Sequence, residues 1–165
     1  MDYPKQALGF MLKQNRLDQN LSLRALAERT GISAMYLSDV ENGVQRPADY
    51  TLRKLFSELA LPYDPALLWQ PEFTLHPLTQ AILDYRMDRR DAFFDDLWRR
   101  REVLKAGCHY AQFLLAEWIV RISRGENREA RVYQLRDILE AAGSALRNQD
   151  QQWYRLYRGI HHKAL

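Results

Sequence analysis

The side chains of this chain best suited to recognition by hydrogen bonding lie on one short run: Ser33, Tyr36, Ser38, Asp39 and Asn42. Hydroxyls, an amide and a carboxylate at that spacing can donate to and accept from a polar surface laid against them. Groups for covalent chemistry are sparse by contrast. Cys108 is the single cysteine, so Cys108-His109 lacks the multiple ligands of a zinc site and reads as a core thiol beside a partly exposed imidazole. His161-His162 reads as a solvated tail. No phosphate-cradling glycine loop, nucleophile elbow or HExxH occurs. The expectation is no active site, no metal and no cofactor.

The recognition residues need a rigid element, and the sequence around them supplies one. Ser22 stands where an N-cap accepts the first free amides of a helix whose inner face is Leu26, Ala27 and Thr30. Gly31 provides a left-handed stop. Ser33 caps a second helix whose inward residues are Leu37 and Val40, and Gly43 ends it. At about 100° per residue, Met35, Ser38, Asp39 and Asn42 then point the opposite way. Ser33, Ala34 and Tyr36 flank them at the N-terminal end. Two small capped helices around a glycine are what a helix-turn-helix needs, and that unit places its second helix in the DNA major groove.

The whole chain fits such a module plus a second domain. It has 165 residues, 47% of them hydrophobic, which is enough for a core. The net charge of +3 is mild, and a pI near 9.1 fits nucleic-acid binding without demanding it. The lone cysteine points to a reducing compartment, no basic and apolar leader is seen, and the longest apolar stretch, Phe113 to Val120, is short and carries Glu117. A soluble, cytoplasmic protein with no membrane span is expected.

Apolar residues recur at helical spacing throughout, so the fold class is all-α. The periodicity predicts helices over Lys5–Arg16, Asp49–Leu61 with Leu52, Leu55, Phe56 and Leu59 inward, and Pro65–Trp69. Pro62, Pro65, Pro71 and Pro77 cluster, which places a boundary near 71–77 and predicts domains over 1–70 and 71–165. Longer helices follow over Pro77–Arg86, Asp91–Ala106, Cys108–Ser123, Asn127–Ala142 and Gln149–His161. An offset of thirty-five residues matches Arg101-Glu102-Val103-Leu104 to Arg136-Asp137-Ile138-Leu139 and aligns Leu83, Trp118 and Trp153, with Trp98 on Tyr133. That period suggests tetratricopeptide-like hairpins, with an ordinary helical bundle as the alternative. Most of Trp98, Trp118, Tyr133, Trp153, Tyr154 and Tyr157 should be core, the remainder lining a groove or dimer interface. Asp95 and Asp96 precede Arg99 and Arg100 by four residues, the spacing of a salt-bridged helix surface, with a partner-binding or DNA-flanking patch as the alternative.

Residues 8–65 resemble the lambda-repressor and Cro type of helix-turn-helix, the XRE family. The resemblance rests on Arg16, Leu21-Ser22, Leu26-Ala27, Gly31-Ile32-Ser33, Tyr36-Leu37-Ser38, Val40-Glu41-Asn42-Gly43, Pro47 and the Leu52 to Leu59 stripe. It implies a structural pair between Arg16 and Glu41, and places Gln45 and Arg46 where members of the family touch the phosphate backbone. The chain departs from the family at Leu23, Ala34, Met35 and Asp39, where many members carry Gln, Arg or Lys. Ala34 and Met35 are confined to apolar contacts such as thymine methyls, and Asp39 to accepting from a cytosine amine. Arg24, Arg46, Lys54 and the amide end at Ser33 are the expected phosphate partners.

The function this implies is a sequence-specific transcriptional regulator binding double-stranded DNA, a dimeric repressor of a palindromic operator with half-sites about 34 Å apart. Residues 71–165 would form a helical domain that dimerises or senses a peptide, protein or small-molecule effector. Two alternatives stand beside it: an antitoxin that neutralises a toxin and represses its own operon, and an interaction module that kept the fold without reading DNA.

Overall fold

The computed structural model describes residues 3–126, 138 and 140–142. The regular elements among them are all helices, in the order α1 (Lys5–Asp18), α2 (Leu23–Thr30), α3 (Ala34–Glu41), α4 (Asp49–Glu58), α5 (Pro65–Leu68), α6 (His76–Leu83), α7 (Met87–Arg99), α8 (Arg101–Lys105) and α9 (Tyr110–Ser123). The fold is all-α. The chain divides into two units: Met1–Gln70 with Glu102–Tyr110, and Pro71–Arg101 with Ala111–Leu165.

In the first unit, apolar residues at three- and four-residue spacing turn one face of each helix inward. Leu8, Met11, Leu26, Leu37, Leu55, Phe56 and Leu59 are fully buried side chains of this core, each stabilising the fold by about 1.5–3 kcal/mol relative to exposure. α1 packs on α3, and α2 packs on both α3 and α4. Capping fixes where the short helices begin. Ser22 Oγ accepts from the Ala25 amide at 3.0 Å and Ser33 Oγ from the Tyr36 amide at 3.2 Å. Gly31, at φ +68°, closes α2 with its amide on the Ala27 carbonyl at 2.8 Å. α1 runs past the expected Arg16 to Asp18, because nothing in Leu17-Asp18 resists a helix before Asn20 turns left-handed at φ +54°.

Glu102–Tyr110 packs within this unit although it follows α7 in sequence. The Asn15 side-chain amide donates to the Lys105 carbonyl at 3.0 Å, and the Cys108 amide to the Leu68 carbonyl at 2.9 Å. Tyr110 donates its hydroxyl proton to Asp18 at 3.2 Å. His109 corrects the expectation of a partly exposed imidazole. It is 2% exposed, its Nε2 accepts from the Gln70 amide at 2.9 Å, and its ring stacks on Trp69 with centroids 4.7 Å apart. An acceptor for a backbone donor and an aromatic face together remove the need for solvent.

In the second unit α6 and α7 pack as a hairpin, turned at Tyr85 with φ +55°. α6 therefore stops at Leu83, short of the expected Arg86. The single helix expected over Asp91–Ala106 is two, α7 and α8. The break is stabilised by Arg101, whose Nη1 donates to the Trp98 carbonyl at 2.9 Å, satisfying a helix-end acceptor. Asp96 takes both basic neighbours, Arg100 at 2.9 Å and Arg99 at 3.8 Å. Trp98 is half-exposed, with the Arg101 guanidinium 4.9 Å above its ring. Tyr133, Trp153, Tyr154, Tyr157, His161, His162, the expected helix over 149–161 and most of the one over 127–142 lie outside the described residues, and with them the second copy of the thirty-five-residue offset.

Candidate nucleic-acid interface

α3 is eight residues long and its sidedness is set by two residues. Leu37 and Val40 are buried. Ala34 and Asn42 are exposed, Tyr36, Ser38 and Asp39 half-buried, and Met35 is 78% exposed. Three of the polar groups on this face, Ser33, Ser38 and Asn42, are engaged internally. Ser33 Oγ caps the helix, and the Asn42 amide donates to Ser38 Oγ at 3.3 Å. Apolar Met35 is thereby among the most outward features of the helix.

The helix is held from behind by charge. Arg16 donates from Nε to Glu41 Oε1 at 2.7 Å, from Nη2 to Glu41 Oε2 at 2.9 Å, and from Nη1 to the Leu21 carbonyl at 2.7 Å. The hydrogen bond to Glu41 drives the Arg16 pKa upward, against the opposing effect of burial. α1 also comes very near α3 at Gly9, where a Cβ would stand 2.4 Å from the Val40 carbonyl oxygen and 2.5 Å from that of Glu41.

The exit from α3 is equally fixed. The Asp39 carbonyl accepts from the amides of Val44 at 2.8 Å and Gln45 at 3.2 Å. Gly43 takes φ +72°, and a Cβ there would meet Gln6 Cγ at 2.7 Å. Val44, Gln45 and Arg46 are exposed on this turn, while Pro47 behind them is buried. The Arg46 guanidinium lies 4.4 Å above the Tyr3 ring. Burial raises the Tyr3 pKa and the Arg46 charge opposes that rise.

The remaining expected contacts are spread around this helix. Lys54 on α4 reaches the α2–α3 turn, its Nζ 3.9 Å from where a Gly31 Cβ would be. Arg24 on α2 is exposed and pairs with Glu28 at 3.1 Å, while Leu23 is half-buried. Sequence reasoning missed Gly9, Tyr3 and the exposed apolar pair Val44 and Tyr50. A glycine inside a helical pattern was a signal for the first. Among the described residues no cluster of three or more His, Cys, Asp or Glu is grouped to hold a metal, and no helix is long and apolar enough to cross a membrane.

Residues 12–65 match the helix-turn-helix family. Relatives described as uncharacterized HTH-type transcriptional regulators, from two strains of Mycobacterium tuberculosis, are each 36% identical over 86 residues, covering 50% of this chain and 61% of the relative. The chain thus spans less than two thirds of those relatives' length. No solved structure matches the chain significantly. Two capped helices around a left-handed glycine, an outward face on the second and the sequence match agree: residues 12–65 are a helix-turn-helix domain of the XRE type.

Proposed function

We propose that this chain is a sequence-specific DNA-binding transcriptional regulator, acting as a dimeric repressor of a near-palindromic operator. The observation that carries the reading is the sidedness of α3, with Leu37 and Val40 in the core and Met35, Ala34 and Asn42 facing out. A short helix anchored on one side and bare on the other suits insertion into the major groove. Base edges would be met by Ala34, Met35, Tyr36, Ser38, Asp39 and Asn42, with Leu23 alongside. Phosphates would be met by Arg24, Gln45, Arg46, Lys54 and the amide end at Ser33.

The readout on this reading is largely apolar. With Ser33 and Ser38 hydrogen-bonded within the domain, Met35 is left to pack against thymine methyls. Per-half-site discrimination is then modest, and a second copy of the chain supplies the rest of the affinity. Residues 71–165 provide the dimer contact or an effector site.

Selection of bound sites from random duplex DNA, followed by mass measurement of the complex, tests the proposal. A dyad-symmetric consensus carrying two chains is expected. Recovery of no enriched motif overturns it.

A further inference from the structure

We infer that Lys5 and Lys13 of α1 are phosphate-contact residues, a basic row beside the C-terminal end of α3 that grips the DNA backbone along one edge of the groove. The inference rests on the DNA-binding reading above and adds two contacts to it.

The row follows from helix geometry. Lys5, Gly9 and Lys13 stand four residues apart on α1, so they lie along one side of it and span about 12 Å. The middle of the row is fixed against α3, since the place of a Gly9 Cβ is taken by the Val40 and Glu41 carbonyl oxygens at 2.4 and 2.5 Å. Both ends are located as well. One residue beyond Lys5, the Gln6 Cγ comes 2.7 Å from where a Gly43 Cβ would stand on the exit turn. Three residues beyond Lys13, Arg16 grips Glu41, the last residue of α3. The two lysines therefore occupy the side of α1 that meets the end of α3, and both are exposed.

Their charge is not spent inside the domain. Arg16, Arg24, Arg29 and Arg53 meet the carboxylates of Glu41, Glu28, Glu58 and Asp49 respectively. Among the described residues no carboxylate pairs with Lys5, Lys13 or Lys54, and the first turn of α1 holds no acidic residue. Lys54 stands at the opposite end of α3, beside Gly31. These uncompensated cations thus bracket the helix assigned to the major groove, which a phosphate backbone borders on each side. Asp39 puts a negative charge on α3 itself, so attraction for phosphate must come from neighbouring elements. A lysine suits the task, as a compact charge with three donors on a flexible stem.

The test titrates a fluorescent duplex with the full chain over a range of salt concentrations, comparing Lys5→Gln, Lys13→Gln, the double variant and Arg89→Gln. Both lysines are exposed, so the core stays intact, which circular dichroism verifies. Arg89 is an exposed cation on α7, in the other unit, and controls for net charge. Each phosphate contact contributes about 0.9 to the slope of log K against log salt. Lys5→Gln and Lys13→Gln should each flatten the slope by about that amount, and the double variant by about twice it. The shortfall of a single variant against the unaltered chain should widen about threefold for a fourfold drop in salt. The loss should be equal on a selected site and on unrelated duplex, whereas Lys5→Arg and Lys13→Arg should keep the slope of the unaltered chain. A slope unchanged in either glutamine variant overturns the inference, as does an equal flattening by Arg89→Gln, and in both cases the DNA-binding reading stands. Failure of the unaltered chain to bind any duplex at low salt overturns that reading, and this inference with it.

Discussion

Arg16 and Glu41 meet as a two-point ion pair, Nε on Oε1 at 2.7 Å and Nη2 on Oε2 at 2.9 Å, with the two side chains only 8% and 7% exposed. The pair joins the late turns of α1 to the last residue of α3, and a third bond to the Leu21 carbonyl draws in the start of α2. The cost of desolvating both charges falls on the intact pair, so its net worth is small. Leaving one charge buried alone is expensive. Arg16→Ala or Glu41→Ala should each destabilise the domain by about 3–5 kcal/mol in urea unfolding, and the double change Arg16→Met with Glu41→Leu should recover most of the loss.

Gly9→Ala should be destabilising despite the higher helix propensity of alanine. Its methyl would press on the Val40 and Glu41 carbonyl oxygens at 2.4 and 2.5 Å, and backbone cannot swing aside as a side chain can. Overpacking of this kind costs about 1–3 kcal/mol. A thermal melt measures it, and an unaltered or higher midpoint would contradict the close approach of α1 to α3.

Removing the methyl from thymine separates apolar readout from hydrogen bonding. Deoxyuridine in place of thymidine in a selected site should weaken binding at particular positions, and Met35→Ala should abolish the preference for thymidine there. Ser38→Ala should shift preference at neighbouring bases, while Arg46→Ala should weaken all sites alike. Equal affinity for both duplexes would sink the methyl contact.

Tyr63 donates its hydroxyl proton to Asp49, which also accepts from Arg53 at 2.7 Å. Burial first, and then that hydrogen bond, push the Tyr63 pKa up to about 12. The bonds from Tyr63 and Arg53 hold Asp49 below the usual carboxylate value of 3.8. A raised folded-state value means the Tyr63 contribution is whole below its unfolded value of 10.0 and fades as pH climbs toward about 12. The depressed Asp49 value works at the other end, present above 3.8 and lost as pH falls further. The difference in 295 nm absorbance between the unaltered chain and Tyr63→Phe should titrate well above the ordinary tyrosine range, and Asp49→Asn should bring it down.

Cys108 is buried, and burial lifts its thiol pKa to about 12. The thiolate is the reactive form, so a disulfide reagent at pH 8 should label the native chain far more slowly than the unfolded one. Equal rates would place the thiol at the surface.

Much of this fold can be read from residue types alone. Ser22, Gly31 and Ser33 act locally, through caps and a left-handed turn, and local signals survive in a linear string. The inward stripe of α4, Leu52 to Leu59, is legible for the same reason. What the string conceals is contact across distance. Tyr3 under Arg46, Gly9 against the Val40 carbonyl and His109 on Trp69 each join residues from separate segments. The break between α7 and α8 is hidden too, since no glycine or proline marks it and Arg101 makes it by bonding back to Trp98. The outward face of α3 follows from helical spacing, and the engagement of Ser38 by Asn42 lies at the same i,i+4 spacing.

The return of Glu102–Tyr110 to the side of Met1–Gln70 makes this polypeptide braided and not beaded. A fragment ending at residue 70 would strip the Leu68 carbonyl of the Cys108 amide, leave the Asn15 amide with Met11 alone of its two acceptors and leave Trp69 without its imidazole. Exchange of tails between cousins of this protein must therefore carry that nonapeptide along with the head it completes.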